Sequence, residues 1–147
     1  MRYRRDRGER SDMTGGFERT VVDAVGVAPP AGHYSHGVIA SGRLLFVAGQ
    51  VALDENGRLI GADDAAAQAH QVLANLKRVI ESAGGTMADV ARTTLYLTRI
   101  ADRGPVGKVR EAFFPSPPPA NTLLVVAGLA QPEFLVEIDA IVPLRER

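Results

Sequence analysis

Two carboxylates near the end of the sequence are the residues best suited to carry out chemistry. Glu137 and Asp139 lie two positions apart within the otherwise apolar run 134–142. At this spacing both side chains point to one face of a β-strand. A carboxyl group among apolar neighbours must be paired, hydrogen-bonded or neutral. Two interpretations are therefore open: a pair that is exposed or salt-bridged at an interface, or a general acid/base that orients water.

The three histidines give little support for a metal site. His33 and His36 lie three positions apart in a loop-like segment, and zinc would need added carboxylates there. His70 falls beside the apolar stripe of a predicted helix, where an ordinary helix residue is the simpler interpretation. We therefore predict no metal site. For His33 and His36 we predict hydrogen bonding within a loop, with titration near neutral pH as the alternative.

Missing signatures exclude several other classes of protein. The sequence has no cysteine, which excludes disulfides, thiolate nucleophiles and Cys-ligated metals. It has no Gly-rich phosphate loop and no dinucleotide fingerprint. Lys+Arg and Asp+Glu both number 17, and this net charge of zero predicts no nucleic-acid partner. No apolar run approaches the roughly 20 residues of a membrane helix, and no signal core follows the N-terminal charges. We therefore predict a cytoplasmic protein with no membrane partner.

Length and composition predict one domain with a tail. The 147 residues are 46% hydrophobic and 23% charged, which is typical of a globular domain that buries its own core. Residues 1–16 are rich in arginine and interleaved acids and offer almost nothing to bury. We expect residues 1–16 to form a flexible Arg-rich tail and residues 17–147 to form a single domain.

The clearest predicted element is a helix over 69–83. Its apolar residues recur at positions i, i+3, i+4 and i+7. Asp63 or Asp64 can cap its start, and Gly84-Gly85 is a typical stop. A weaker helix over 101–114 is ended by a proline-rich segment.

Short apolar segments bounded by turns predict the strands. These are 19–25, a hairpin of 37–40 and 44–48, 90–98, 122–127 and 134–142. Two helices cover only one face of a mostly antiparallel sheet, so the predicted class is α+β. On the last strand, Leu135 and Ile141 are expected to share the uncovered face with the two acids. An oligomer would cover that face.

Several short segments with specific residues follow one another along the chain between residues 26 and 142. They are Gly32-His-Tyr-Ser-His36, Val47-Ala-Gly-Gln50, Glu81-x-Ala-Gly84, Ala88-Asp89-Val90, Glu111-Ala-Phe-Phe114, Pro119-Ala120 and Val136-Glu-Ile-Asp-Ala140. In this order the segments resemble the RidA family, also called YjgF or endoribonuclease L-PSP.

The resemblance implies a fold, an assembly and an activity. The implied fold is that of the AroH-type chorismate mutase, in a homotrimer with ligand clefts between subunits. The implied activity is the hydrolysis of reactive imines and enamines, such as 2-aminoacrylate, to 2-oxo acids and ammonia. The family uses no cofactor for this reaction, so the expected partners are a small-molecule ligand and further copies of the chain.

The resemblance also implies catalytic residues. Tyr34 matches the family's loop tyrosine, and Glu137 matches the strand glutamate near the reacting water. His36 stands where a glutamine usually follows the Tyr-Ser pair. We therefore predict Glu137, Tyr34 and His36 as the catalytic residues.

The substrate-binding positions depart from the family pattern. Gly49 matches the glycine whose backbone lies against the ligand, but Asn121 replaces the carboxylate-binding arginine and Leu123 replaces a common cysteine. Loss of one partner of a bidentate charged pair costs about 2–5 kcal/mol. We therefore predict a RidA-like hydrolase of a small imine or enamine that handles standard 2-imino acids poorly. A non-catalytic trimer that binds or senses a small metabolite is the alternative.

Overall fold

The computed structural model of the chain describes residues 16–147. The tail predicted over 1–16 lies outside the described residues except for Gly16. Within the described part, six strands and two helices follow in this order: β1 (Glu18–Val21), β2 (Val38–Ser41), β3 (Arg43–Gln50), α1 (Ala65–Ser82), β4 (Arg92–Leu97), α2 (Arg103–Phe113), β5 (Ala120–Val125) and β6 (Val136–Leu144).

The strands form two sheets. β1 and β2 form an antiparallel pair, and the larger sheet has the order β3-β6-β4-β5. Its β3–β6 and β6–β4 pairs are antiparallel, whereas β4 and β5 are parallel. The parallel pair follows from the connection, because α2 carries the chain back to the starting end of β4 before β5 begins. The predicted α+β class and two-helix arrangement are confirmed.

The signals that predicted α1 act as expected. The side chain of Asp64 accepts a hydrogen bond from the Ala67 amide at 3.0 Å, which caps the first turn. The helix ends at Ser82, just before the predicted Gly84-Gly85 stop. Its apolar stripe is completely buried at Val72, Leu73, Leu76 and Ile80. This stripe packs on β3 and β6 and forms the centre of the core with them.

The prediction that residues 37–40 and 44–48 form a hairpin is wrong. β2 pairs with β1, whereas β3 pairs with β6 in the other sheet. Gly42 is the only residue between them, and hairpin loops need at least two. Gly42 has a φ of 106°, and a Cβ there would lie 2.8 Å from the main-chain oxygen of Gly16. The chain therefore turns a corner at Gly42 and enters a second sheet.

The alternation predicted for the last strand is confirmed within β6. The side chains on the helix-covered face are buried; they are Val136, Ile138, Ala140 and Val142. We call the opposite face the open face. Its side chains are half-buried; they are Glu137, Asp139 and Ile141. Leu135 departs from the prediction, since it is only 7% exposed and belongs to the core. It precedes β6, and its amide donates to the buried Gln68 side chain at 2.9 Å, so the strand alternation does not reach it.

No helix within residues 16–147 has the length and apolar content needed to cross a membrane.

Candidate functional site

Gly49 and Glu137 lie against each other on the open face. β3 and β6 are neighbours, and their register shifts between Val47 and Gln50. A Cβ added at Gly49 would lie 2.7 Å from Cδ of Glu137, closer than any real contact. Only glycine therefore lets the carboxylate of Glu137 rest over the β3 backbone. The structure thus brings together the predicted catalytic glutamate and one predicted substrate-binding residue.

The two carboxylates of β6 differ in their environment. Asp139 accepts hydrogen bonds from the Tyr96 hydroxyl at 3.1 Å and from the Thr94 amide at 3.2 Å. Burial, and then the negative charge of Asp139, raise the pKa of Glu137. Asp139 is thus held as an acceptor, while Glu137 is the group whose proton affinity is increased. A carboxyl group with a raised pKa is the better candidate for moving a proton near neutral pH.

Two open clefts flank Gly49. One, of about 330 Å³, extends over the open face and includes Phe46, Arg92 and Asp139 in its lining. The other, of about 390 Å³, runs toward α1 and is lined in part by Asn75. Arg92 brings a cation to the first cleft, where its Nη2 donates to Thr122 Oγ1 at 2.8 Å. Arg92 was not among the predicted site residues, because an exposed arginine on a strand has no distinctive sequence pattern.

Tyr34 and His36 lie together in the loop that precedes β2. Their rings meet edge to face, with centroids 5.7 Å apart. Tyr34 Oη accepts from the Ala31 amide at 3.4 Å, and His36 Nε2 donates to the main-chain oxygen of Ala28 at 2.7 Å. A carbonyl oxygen only accepts, so Nε2 of His36 carries a proton. The predicted loop hydrogen bonding of His36 is present.

The proline-rich segment before β5 holds this loop in place. The Ser35 amide donates to the main-chain oxygen of Pro119 at 3.0 Å, and the Ser35 hydroxyl donates to that of Pro118. His33 Nε2 donates to the main-chain oxygen of Phe114 at 2.7 Å. The loop that carries Tyr34 and His36 is therefore fixed beside the start of β5, where Asn121 lies.

Asn121 and Leu123 lie on the helix-covered side of the edge strand β5. Asn121 Oδ1 accepts a hydrogen bond from Thr93 Oγ1 at 2.7 Å. Leu123 is half-buried and packs against the core. Both belong to the last strand in the order of the sheet, whose outer edge is bridged at Ala120 by Ser35.

Arg110 was not among the predicted site residues, although it is buried beside Asn121. It is 5% exposed, lies on α2, and donates to Thr93 Oγ1 at 3.1 Å. It therefore stands directly behind the Thr93–Asn121 hydrogen bond. One signal was available: Arg110 follows the buried Val106 by four positions, which puts an arginine on the apolar face of the helix.

The residues that the structure describes contain no group of three or more histidine, aspartate or glutamate side chains that would hold a metal ion.

Comparison with known proteins gives the family. A family model described as endoribonuclease L-PSP matches residues 25–144. The chain belongs to this family. The Rid-family protein YyfB from Yersinia pestis is 41% identical; the match covers 86% of this chain and 98% of that one, with a TM-score of 0.81. RidA from the Antarctic bacterium Psychrobacter is 32% identical over 79% and 92% of the two chains, with a TM-score of 0.65. A member of the YjgF protein family from Neisseria meningitidis is 33% identical; the match covers 78% of this chain and 89% of that one, with a TM-score of 0.62.

In this L-PSP family member the predicted site residues form two separate groups. Gly49 and Glu137, which we call the carboxylate group, lie on the open face. The loop group lies at the β5 edge and consists of Tyr34, His36, Asn121 and Leu123. Glu137 pairs with Tyr96 on β4, whereas Asn121 pairs with Thr93 three positions earlier on the same strand. An odd offset places them on opposite faces, and three residues separate them by about 10 Å along the strands.

Proposed function

We propose that this L-PSP family protein is a hydrolase that deaminates a small imine or enamine, with Glu137 as the group that activates water. The observation that carries the proposal is the contact of Glu137 with Gly49. It holds a carboxylate of raised pKa against Gly49, a residue that lines an open cleft on the sheet. Family membership supports the same reaction class.

The proposed chemistry needs one water and one proton-transfer group. Water adds to the carbon of the protonated imine, the C=N bond becomes a single bond, and Glu137 takes a proton from the attacking water. Glu137 returns this proton to the nitrogen of the resulting amino alcohol, and the C–N bond breaks to release ammonia. As the C=O bond forms, the hydroxyl proton passes to Glu137 and from there to solvent. An enamine enters the same route after its terminal carbon takes up a proton. A carboxyl group with a pKa closer to neutrality suits both directions of transfer.

We propose that the complete site forms between copies of the chain in a homotrimer. The carboxylate group and the loop group lie on opposite faces, so one chain does not bring them together. The open face also exposes large apolar side chains, which are Leu44, Phe46 and Leu124. Apolar patches of this kind are typical of protein–protein interfaces. A neighbouring copy that covers this face would bring its own loop group toward Glu137.

The loop group would then bind the rest of the substrate. Tyr34 and His36 supply a hydroxyl and an imidazole on a fixed loop, and Leu123 supplies an apolar wall. Asn121 supplies a neutral amide where the family pattern has an arginine. The amide favours a substrate with one oxygen acceptor at this position over a substrate that needs a cation on both carboxylate oxygens.

Ammonia release tests the proposed reaction. We would measure it above the spontaneous rate with 2-aminoacrylate, generated from L-serine by a dehydratase, and with neutral imines. Glu137→Gln removes the proton acceptor and is expected to lower the catalysed rate by about 100-fold or more, the range of general acid–base catalysis. Glu111→Gln is the matched control, because Glu111 is exposed on α2. No turnover of any imine by the wild-type protein would refute the proposal.

A second candidate function is non-catalytic binding of a small metabolite. Asn121 favours it, because the amide that replaces the family arginine removes the cation expected to hold a substrate carboxylate. This function predicts that a 2-oxo acid or imine binds and is recovered unchanged. Calorimetry combined with product analysis separates it from hydrolysis.

A further inference from the structure

Arg110 carries a buried charge that no acidic side chain balances. It is 5% exposed and forms no ion pair within residues 16–147. Its two Nη groups donate to the main-chain oxygen of His33 and to Thr93 Oγ1, and its Cζ lies 5.0 Å from the centre of the Phe114 ring. The buried Nε–H has no hydrogen-bond partner in the same part of the chain. Burial lowers the pKa of Arg110 to about 10, so the guanidinium stays charged at neutral pH.

The hydrogen bonds that start at Arg110 have one possible direction. A guanidinium has only donors, so Thr93 Oγ1 accepts from it. The single hydroxyl proton of Thr93 then points to Asn121 Oδ1, 2.7 Å away. This occupies the carbonyl end of the Asn121 amide. Its Nδ2 group makes no hydrogen bond to any residue of the range 16–147 and remains as the donor end.

We propose that Arg110 and Thr93 are positioning residues that fix the Asn121 amide with its N–H groups toward the ligand. The amide would bind an oxygen acceptor of a small metabolite, with a carbonyl or carboxylate oxygen as the chemical class. This inference rests on the proposed function for the location of the ligand site.

The same chain of hydrogen bonds strengthens the donor. Each bond in such a chain polarises the next, by about 10–30% per bond. A positive charge at the buried end draws electron density from the Asn121 carbonyl, so the N–H groups become more acidic donors. The uncompensated charge of Arg110 also favours an oxygen that carries negative charge, because a buried charge without a partner is unfavourable.

The side-chain amide signals of asparagine report on this arrangement directly. The sequence has three asparagines, Asn56, Asn75 and Asn121. Selective ¹⁵N labelling of the full chain therefore gives three side-chain signals, and Asn121→Ala identifies one of them. Asn75 is an internal control, because its Nδ2 donates to the main-chain oxygen of Leu53 at 2.8 Å, away from Arg110.

Thr93→Val removes the hydroxyl and keeps the side-chain shape, while Thr93→Ser keeps the hydroxyl. We expect Thr93→Val to move the Asn121 ¹⁵N signal upfield and to leave Asn75 in place, and Thr93→Ser to restore it. Arg110→Met removes the charge, keeps an apolar side chain, and should shift the signal in the same direction. If the Asn121 signal stays unchanged in Arg110→Met, Arg110 has no positioning role. If Thr93→Val does not fold, the Asn121 ¹⁵N signals of Thr93→Ser and Arg110→Met are compared instead. The positioning role requires the signal to move in Arg110→Met and to stay near its wild-type position in Thr93→Ser.

Titration with sodium pyruvate tests the ligand. Pyruvate is a stable probe that carries both a carbonyl and a carboxylate, and sodium chloride controls for ionic strength. We expect a saturable shift of the Asn121 signal in the wild-type protein. The apparent affinity should be about tenfold weaker in Thr93→Val, the size of one net hydrogen bond. A wild-type Asn121 signal that does not respond to pyruvate would overturn the proposal.

The outcomes separate this inference from the proposed reaction. If no imine is hydrolysed but the Asn121 signal responds as expected, hydrolysis fails and the positioning role stands. If imines are hydrolysed and the Asn121 signal does not depend on Thr93 or Arg110, only the positioning role is overturned.

Discussion

The two faces of the four-stranded sheet are built from adjacent residues of the same strands, yet they differ in almost every property. On the face covered by α1, Val136, Ile138 and Val142 are completely buried. On the open face, Glu137 and Asp139 alternate with them, and Phe46 on the neighbouring strand is 70% exposed. One face therefore holds the core, and the other keeps two charges and an aromatic side chain at the surface.

The difference shows how stability and chemistry are divided between the two faces. Beneath the covered face, Gln68 of α1 is completely buried and its side chain bonds three main-chain groups. The open face leaves Glu137 with a raised pKa beside Asp139. Such an arrangement costs some stability and is typical of functional sites.

The largest expected effect is the loss of core packing at Ile138. Ile138→Ala removes a completely buried side chain and is expected to lower the free energy of unfolding by about 2–5 kcal/mol. Ile141→Ala deletes the same atoms from the half-buried open face. In denaturant titrations at low protein concentration, where chains are dissociated, its cost should be less than about half as large. Equal losses at both positions would contradict the division between the faces.

The next effect tests the close contact on the open face. Gly49→Ala places a methyl group where the Glu137 carboxyl lies, and this flexible side chain must move. We expect the rate of imine hydrolysis to fall by about 100-fold, because displacement of a catalytic group by about 1 Å has an effect of this size. Thermal unfolding should change little. Gly128→Ala is the control, since a Cβ there meets nothing within 4 Å. If Gly49→Ala hydrolyses imines at the wild-type rate, the position of Glu137 is not critical.

A smaller effect is expected on assembly. Phe46→Ser removes the most exposed aromatic side chain of the open face and should weaken the proposed trimer by about tenfold to 100-fold, the equivalent of burying one large apolar side chain. Light scattering over a dilution series measures this change. Val25→Ser is the control, because Val25 is 94% exposed and lies outside the four-stranded sheet. If the wild-type protein is monomeric at every concentration, or if both variants behave alike, the open face is not the interface.

The smallest effect concerns the charge of Glu137. Its pKa is raised in the folded protein, so the folded state binds the proton more tightly than the unfolded state does. Stability therefore declines as pH rises through the folded pKa, and Glu137→Gln should remove that decline. We expect a melting temperature about 1 °C higher than wild type at pH 7 and no gain at pH 4, because solvent screens a half-exposed charge. A lower melting temperature for Glu137→Gln than for wild type at pH 7 would contradict the sign.

Local patterns predicted the elements whose ends are fixed by local contacts. Asp64 caps α1, and the Thr86 and Asp89 side chains form a capping box, with the Thr86 amide 3.0 Å from the Asp89 carboxylate. These signals depend on neighbours within four residues, so the sequence carries them completely. The contact of Gly49 with Glu137 joins residues 88 positions apart. The spacing of Glu137 and Asp139 pointed to the carboxylate, but only the family resemblance pointed to Gly49.

The errors arose where partners are distant in sequence. β2 and β3 follow each other closely enough to suggest a hairpin, but their partners are β1 and β6. Arg110 passed unnoticed because a helical arginine is usually exposed, and only the packing of α2 against Thr93 gives it a role.

The sequence by itself determined the family, the α+β class, the helix ends and the two-faced character of the last strand. The class, the helix ends and the last strand depend on residue types at short spacing, and the family depends on short segments in a fixed order along the chain. Tertiary structure alone decided which strands pair, that Glu137 and Asn121 face opposite sides of the sheet, and that Arg110 lies buried behind Asn121. The physical reason is that strand pairing and the burial of charge are settled by the free energy of the whole packed chain, to which residues far apart in sequence contribute together.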